Sequence, residues 1–117
     1  MITNYRFGEL VYQGKSYNKD LIIMKSPNGE EIIPNWWRKE GHLLQIEDLK
    51  EVFKIRPAFL IIGTGASGVM KIDEKVKNMA KELGITLEEY PTPKAVERFN
   101  ELLKTDVSIA GAFHLTC

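Results

Sequence analysis

Phe59-Leu60-Ile61-Ile62-Gly63-Thr64-Gly65-Ala66-Ser67-Gly68 is the stretch on which the fold turns. Four apolar residues without polar alternation predict a strand covered on both faces, as in a parallel sheet. Two helical patterns and two further strands follow it. Asp73 to Leu83 reads as a helix, with Val76, Met79, Ala80 and Leu83 on one face and Gly84 as the stop. Ile85 to Tyr90 reads as a short strand. Thr92 reads as an N-cap with Pro93 at the first helical position, and Val96, Phe99 and Leu103 face the core. Asp106 to Leu115 is the last strand. Right-handed crossovers then make the three strands parallel neighbours in a βαβαβ unit.

Upstream, the pattern is antiparallel. Glu9 to Tyr12 and Lys15 to Tyr17 flank Gln13-Gly14. Asp20 to Lys25 and Glu30 to Ile33 flank Ser26-Pro27-Asn28-Gly29, where Asn-Gly predicts a two-residue turn with positive φ at both positions. Ile46, Leu49, Val52 and Phe53 recur at helical spacing, and Pro57 ends that helix. The prediction is an α/β fold in a single domain, residues 1–117. Its antiparallel hairpin region packs on a βαβαβ unit within a central mixed sheet.

Composition narrows the function classes. At 117 residues the chain is too short for a two-lobed dinucleotide enzyme or an eight-fold βα barrel. Sixteen basic side chains balance sixteen acidic ones. The balance is also local: residues 1–58 hold nine and eight, and residues 59–117 hold seven and eight. Nucleic-acid binding through a basic surface therefore has no compositional support. No apolar run is long enough to span a membrane, and the N-terminus does not read as a signal peptide. One cysteine, Cys117, permits no internal disulfide, and a cytoplasmic location is expected. Twelve Lys and twelve Glu against two Gln lean toward a thermophile.

Gly63-Thr64-Gly65-Ala66-Ser67-Gly68 matches G-x-G-x-x-G directly after a strand. Three readings stand. The plainest is a tight crossover turn whose glycines take positive φ. The second is a nest of loop N–H groups holding a small anion or a partner's carboxylate, at the strand edge where open α/β sheets bind ligands. The third, a dinucleotide site, has Glu88-Glu89 about twenty residues on. It fits least, because Val69-Met70-Lys71-Ile72 intervenes before any helix. No cofactor is expected.

Other chemistry is thin. His114 and Cys117, three apart on a strand, point to opposite faces, so a nucleophilic pair is not expected. His42, His114 and Cys117 lack metal-ligand spacing. Glu30-Glu31 and Glu88-Glu89 each straddle a strand. No catalytic residue is assigned. Trp36-Trp37-Arg38 lies in an extended segment, so one Trp is expected to fill the seam between hairpins and helices. The other is expected under Arg38 in a cation–π contact.

Taken together, Trp37-Arg38-Lys39-Glu40-Gly41-His42, Leu60 to Gly65, Gly68-Val69-Met70, Thr92-Pro93-Lys94-Ala95, Phe99-Asn100 and Ala112 to Cys117 resemble the MTH-type domain family. The resemblance runs along essentially the whole chain. It implies three layers, β/β/α: a small β layer, the mixed sheet, and helices beyond it. It supplies no established reaction. One branch is linked to respiratory-complex assembly through protein partners, but without a mitochondrial targeting extension that role is not carried over. The family's recurring positions fall on Arg38, His42, Gly63, Thr64, Gly65, Gly68, Thr92, Asn100 and His114, which would converge at the carboxyl edge of the central strands.

Two functional classes follow. One is a binding or assembly module with Gly63–Gly68 and Trp36–Arg38 as its contact surface. The other is a protein, enzyme or not, that binds a small carboxylate or phosphate at the Gly63–Gly68 loop, with Arg38 on the anion. The first is preferred, for want of a nucleophile or an acid/base pair. The expected partner is thus a protein or a small anion; the oligomeric state is not fixed.

Overall fold

A computed structural model describes all 117 residues. Its order is β1 (Ile2–Arg6), β2 (Glu9–Tyr12), β3 (Lys15–Tyr17), β4 (Leu21–Ser26), β5 (Gly29–Ile33) and β6 (Leu43–Leu44). A 3-10 turn (Ile46–Leu49) leads into α1 (Lys50–Ile55). Then come β7 (Phe59–Thr64), β8 (Lys71–Ile72), α2 (Glu74–Glu82), β9 (Thr86–Tyr90), α3 (Thr92–Leu103) and β10 (Ile109–His114).

The main sheet has the order β5-β4-β10-β7-β9. β7 is parallel to both β10 and β9, and β4 runs antiparallel to β10. The expected βαβαβ unit is therefore present. From β7 the chain steps out to β9, then returns past β7 to β10. Right-handed crossovers in opposite directions must put their helices on opposite faces, and α2 and α3 do pack in opposite cores.

Alternation along each strand divides the interior in two. Ile22, Met24, Leu60, Ile62, Ala110 and Ala112 face a core closed by Trp36, Leu44, Leu49, Val52, Val76 and Ala80. Leu21, Ile23, Ile61, Ile109 and Phe113 face the other core. That second core is closed by Ile2, Leu10 and Tyr12 from the β1-β2-β3 sheet and by Ala95, Val96, Phe99 and Leu102 from α3. The layers are thus a small sheet, the mixed sheet, and α1 with α2, and α3 lies alongside the small sheet.

Local chemistry accounts for the turns. Gln13 and Gly14 both have positive φ (53° and 77°), the backbone of a tight hairpin. The second hairpin differs from expectation. Ser26 pairs with Gly29, so its central residues are Pro27 and Asn28, not Asn28-Gly29. The proline ring fixes a negative φ, takes the first turn position and shifts the turn by one residue. β1 carries no strand pattern of its own. It is held by pairing with β2 and by Asn100, whose side chain accepts from Ile2 N and donates to Ile2 O, both at 2.8 Å.

Candidate functional site

The carboxyl ends of β7 and β10 carry Thr64 and His114, which are register partners. β4 enters the sheet at this edge from Asp20, because Leu21 pairs with Phe113. Asp20 is the hub. Its Oδ1 accepts the Leu115 N–H at 2.8 Å. Its Oδ2 accepts from Arg38 Nη1 and from His114 Nδ1, both at 2.8 Å. Burial works to raise the Asp20 pKa. The hydrogen bonds from His114, Leu115 N–H and Arg38 outweigh it and hold the carboxyl below its ordinary value.

Arg38 is only 8% exposed. Its Nε and Nη2 donate to Gly41 O at 3.2 and 3.0 Å, and its guanidinium stacks 4.8 Å over the Trp36 ring. With Asp20 included, every guanidinium nitrogen has a partner inside the fold. An ionised carboxylate only accepts, so the proton on His114 Nδ1 points to Asp20. Arg38 Nη2, 3.1 Å from the same nitrogen, is then a neighbour that donates to Gly41 instead. His114 is 6% exposed, and its Nε2 is buried without a partner. His42 lies outside it, exposed, with ring centroids 6.1 Å apart and the rings edge to face. His42 Nε2 is 3.9 Å from Cys117 Sγ. No third His, Cys, Asp or Glu completes a metal-holding group with that pair.

Thr92 departs from expectation. It is the first residue of α3, and no side chain caps that helix. Its buried hydroxyl instead accepts the Gly65 N–H at 2.9 Å and donates to His114 O at 2.6 Å. The glycines answer to the same closeness. A Cβ on Gly63 would lie 2.9 Å from Thr92 Oγ1. A Cβ on Gly65, at φ +109°, would lie 2.5 Å from Cys117 O.

Four N–H groups of the loop bond inward, while those of Ser67 and Val69 do not. Gly65 N–H goes to Thr92, Ala66 N–H to Thr116 O at 2.7 Å, and Gly68 N–H to Gly65 O at 3.1 Å. Met70 N–H goes to Thr64 O at 3.0 Å. Both the nest reading and the dinucleotide reading need those donors turned outward. The acids needed for a ribose are also held: Glu88 by Arg98 at 2.8 Å and Glu89 by Lys77 at 3.2 Å. The loop leads into β8, which pairs with β6, rather than into a helix.

Of the nine residues singled out in the sequence, Arg38, His42, Gly63, Thr64, Gly65, Gly68, Thr92 and His114 come together at this edge. Asn100 does not; it faces the other core and fastens β1. Asp20 was missed. An acidic residue just before an apolar strand is its only local signal, and its partner His114 is 94 residues away. The tryptophans also differ from expectation. Trp36 both fills the core and lies under Arg38, while Trp37 is 77% exposed. Buried Trp36 Nε1 finds Asp48 O at 2.9 Å, which fixes the ring.

Fold and site together define a small α/β domain whose buried polar cluster fastens the carboxyl edge of its own sheet. The chain belongs to the family of proteins of unknown function DUF498/DUF598, whose model matches residues 2–114. It is similar in structure to the conserved hypothetical protein PH1505 from Pyrococcus horikoshii OT3, with a TM-score of 0.81 and 25% identity over 100% of this chain and 99% of that one. It is similar also to the protein MT938, with a TM-score of 0.78 and 28% identity over 100% and 98%. A protein described as an outer membrane protein from Bartonella henselae shares the fold, at 24% identity and a TM-score of 0.77 over 99% and 94%. These relatives are consistent with the MTH-type resemblance. No helix here is long and apolar enough to cross a membrane.

Proposed function

We propose that this domain is a protein-contact or assembly module whose contact surface is the carboxyl edge, made by the Gly63–Gly68 loop and the Trp36–Arg38 segment. One observation carries the reading: the polar groups of this edge bond inward, while the large side chains around it stand outward. Arg38, Asp20 and Thr92 all find partners within the fold. Trp37, Phe7 and Val69 are exposed at 77%, 65% and 42%. Each belongs to a segment that adjoins the Leu115–Thr116 backbone. The Phe7-Gly8 turn reaches it through Gly8 N–H to Leu115 O at 2.9 Å. The loop carrying Val69 reaches it through Ala66, and Trp37 shares a groove with both residues. Three of the six exposed large apolar side chains, including the two most exposed, thus stand on this edge, while Met1, Ile55 and Val107 lie elsewhere, and such groups are what a partner's surface covers.

Photo-crosslinking tests this reading. A photoreactive amino acid replaces Trp37 in one variant and Val107, at the opposite edge, in another. A discrete adduct in cells from position 37 and none from Val107 is expected. Adducts only from Val107, or from neither, overturn the reading. So does a thermal upshift with phosphate, nucleotides or small carboxylates whose binding maps to Gly63–Gly68. Saturation at a hundred times Kd would add about 2.7 kcal/mol.

A further inference from the structure

The chain is neutral overall, but its fold sorts charge toward this edge. Residues 18–20, 35–42, 64–71, 91–94 and 114–117 build it. Their acidic side chains are Asp20 and Glu40, and Asp20 is neutralised by Arg38. Lys19, Lys39, Lys71 and Lys94 are exposed, and none has a carboxylate within 4.0 Å. What distinguishes the edge is the excess of lysines over acids in these segments, not the lack of pairing, since Lys15, Lys50, Lys54 and Lys75 elsewhere are unpaired too. Lys19 lines a groove of about 460 Å³ together with Trp36, Trp37 and Leu115 and the polar residues Asn18, Asp20, Asn35 and Thr116.

We propose that the partner of this edge is an acidic protein segment that seats an apolar side chain in the groove beside Trp37. The inference rests on the reading of this edge as a protein-contact surface and adds the chemistry of the partner. The groove supplies apolar area for one anchoring side chain. The unpaired lysines supply the complementary field, which favours an acidic partner and disfavours a second copy of the same positive edge. A nucleic acid fits less well, because the one arginine at this edge, Arg38, is held inside the fold. A membrane surface would take up the projecting Trp37, Phe7 and Val69 but leave the groove empty, and the vesicle arm of the test separates it from a protein segment.

The test uses the full chain labelled with 15N, and its readouts are the Trp37 indole and Val69 amide resonances. The probes are three short peptides with the same central Phe-Leu pair, flanked by Glu, by Ser or by Lys. The Glu peptide is expected to perturb these resonances at the lowest concentration. Lys19→Glu with Lys71→Glu is expected to weaken it by at least about tenfold. Both lysines are exposed, and an unchanged Tm of the variant confirms that the fold is intact. Equal or stronger action of the Ser or Lys peptide at this edge overturns the acidic partner but leaves the contact surface standing. Failure of all three peptides to perturb the edge overturns both. Stronger perturbation by a single-stranded oligonucleotide, or by phosphatidylserine vesicles, overturns the protein partner.

Discussion

His114 Nδ1 donates to Asp20 Oδ2 at 2.8 Å, across 94 residues of sequence, and the same carboxylate oxygen accepts from Arg38. One acid therefore neutralises a nearly buried guanidinium, orients an imidazole and holds the start of Leu115. Asp20→Asn removes the charge and leaves Arg38 buried without it. It is expected to destabilise the fold by about 3 kcal/mol, read by urea denaturation at pH 7.

The same carboxylate gives a pH prediction. Its pKa in the fold lies below the unfolded value, so the unfolded state binds more protons between the two. The stability it contributes is present above the unfolded pKa and is lost as pH falls through the folded one. Wild-type stability should decline across that acid window, and the Asp20→Asn profile should be flatter there. Parallel profiles would show that Asp20 is not the titrating group.

Gly65 and Gly68 separate crowding from backbone strain. Both have positive φ, but a Cβ on Gly68 meets nothing nearer than 3.5 Å, while one on Gly65 meets Cys117 O at 2.5 Å. Gly68→Ala is expected to cost about 1 kcal/mol, the strain alone. Gly65→Ala is expected to cost more and to release residues 115–117, seen as faster amide exchange at Ala66, whose N–H is held by Thr116 O.

Thr92→Val keeps the shape and removes the hydroxyl. It leaves Gly65 N–H and His114 O without their buried partner, at an expected cost of about 2 kcal/mol. Exchange at the Gly65 amide should accelerate, and Thr92→Ser should restore most of the protection. A helix cap in the usual sense would instead fray the first turn of α3 and leave Gly65 unchanged.

The two tryptophans should behave oppositely. Trp36→Ala empties a core position and removes the ring under Arg38, for a loss of about 3–5 kcal/mol. Trp37→Ala should stay within about 0.5 kcal/mol, as surface changes do. Acrylamide quenching should fall sharply in the Trp37 variant only.

Legibility followed the range of each interaction. The uninterrupted apolar run at Phe59–Ile62 and the helical spacing in α2 are local patterns, and they located the parallel strands and one helix. Gln13-Gly14 announced its turn because φ is a property of the residue itself. Pro27 displaced the next turn because two local preferences competed and the ring won. β1 and Asp20 were illegible for a different reason. β1 pairs with the neighbouring β2 but shows no alternation of its own, while Asn100, which fastens Ile2, and His114, which meets Asp20, lie 98 and 94 residues away. Thr92 misled because capping is the usual local use of a threonine before a helix, while here its hydroxyl joins two strand ends. The convergence of Arg38, His42, Thr92 and His114 came through resemblance and not through spacing.

The clasp of Asn100 on Ile2 has a consequence for the order of folding. β1 leaves the ribosome ahead of every residue that later fixes it. Ile2 waits for α3, and Tyr5, whose hydroxyl donates to Leu115 O at 2.9 Å, waits for the end of β10. Closing loops of that length is entropically slow. Full docking of the small sheet on Leu21 and Ile23 therefore requires α3 and the end of β10 to be in place first.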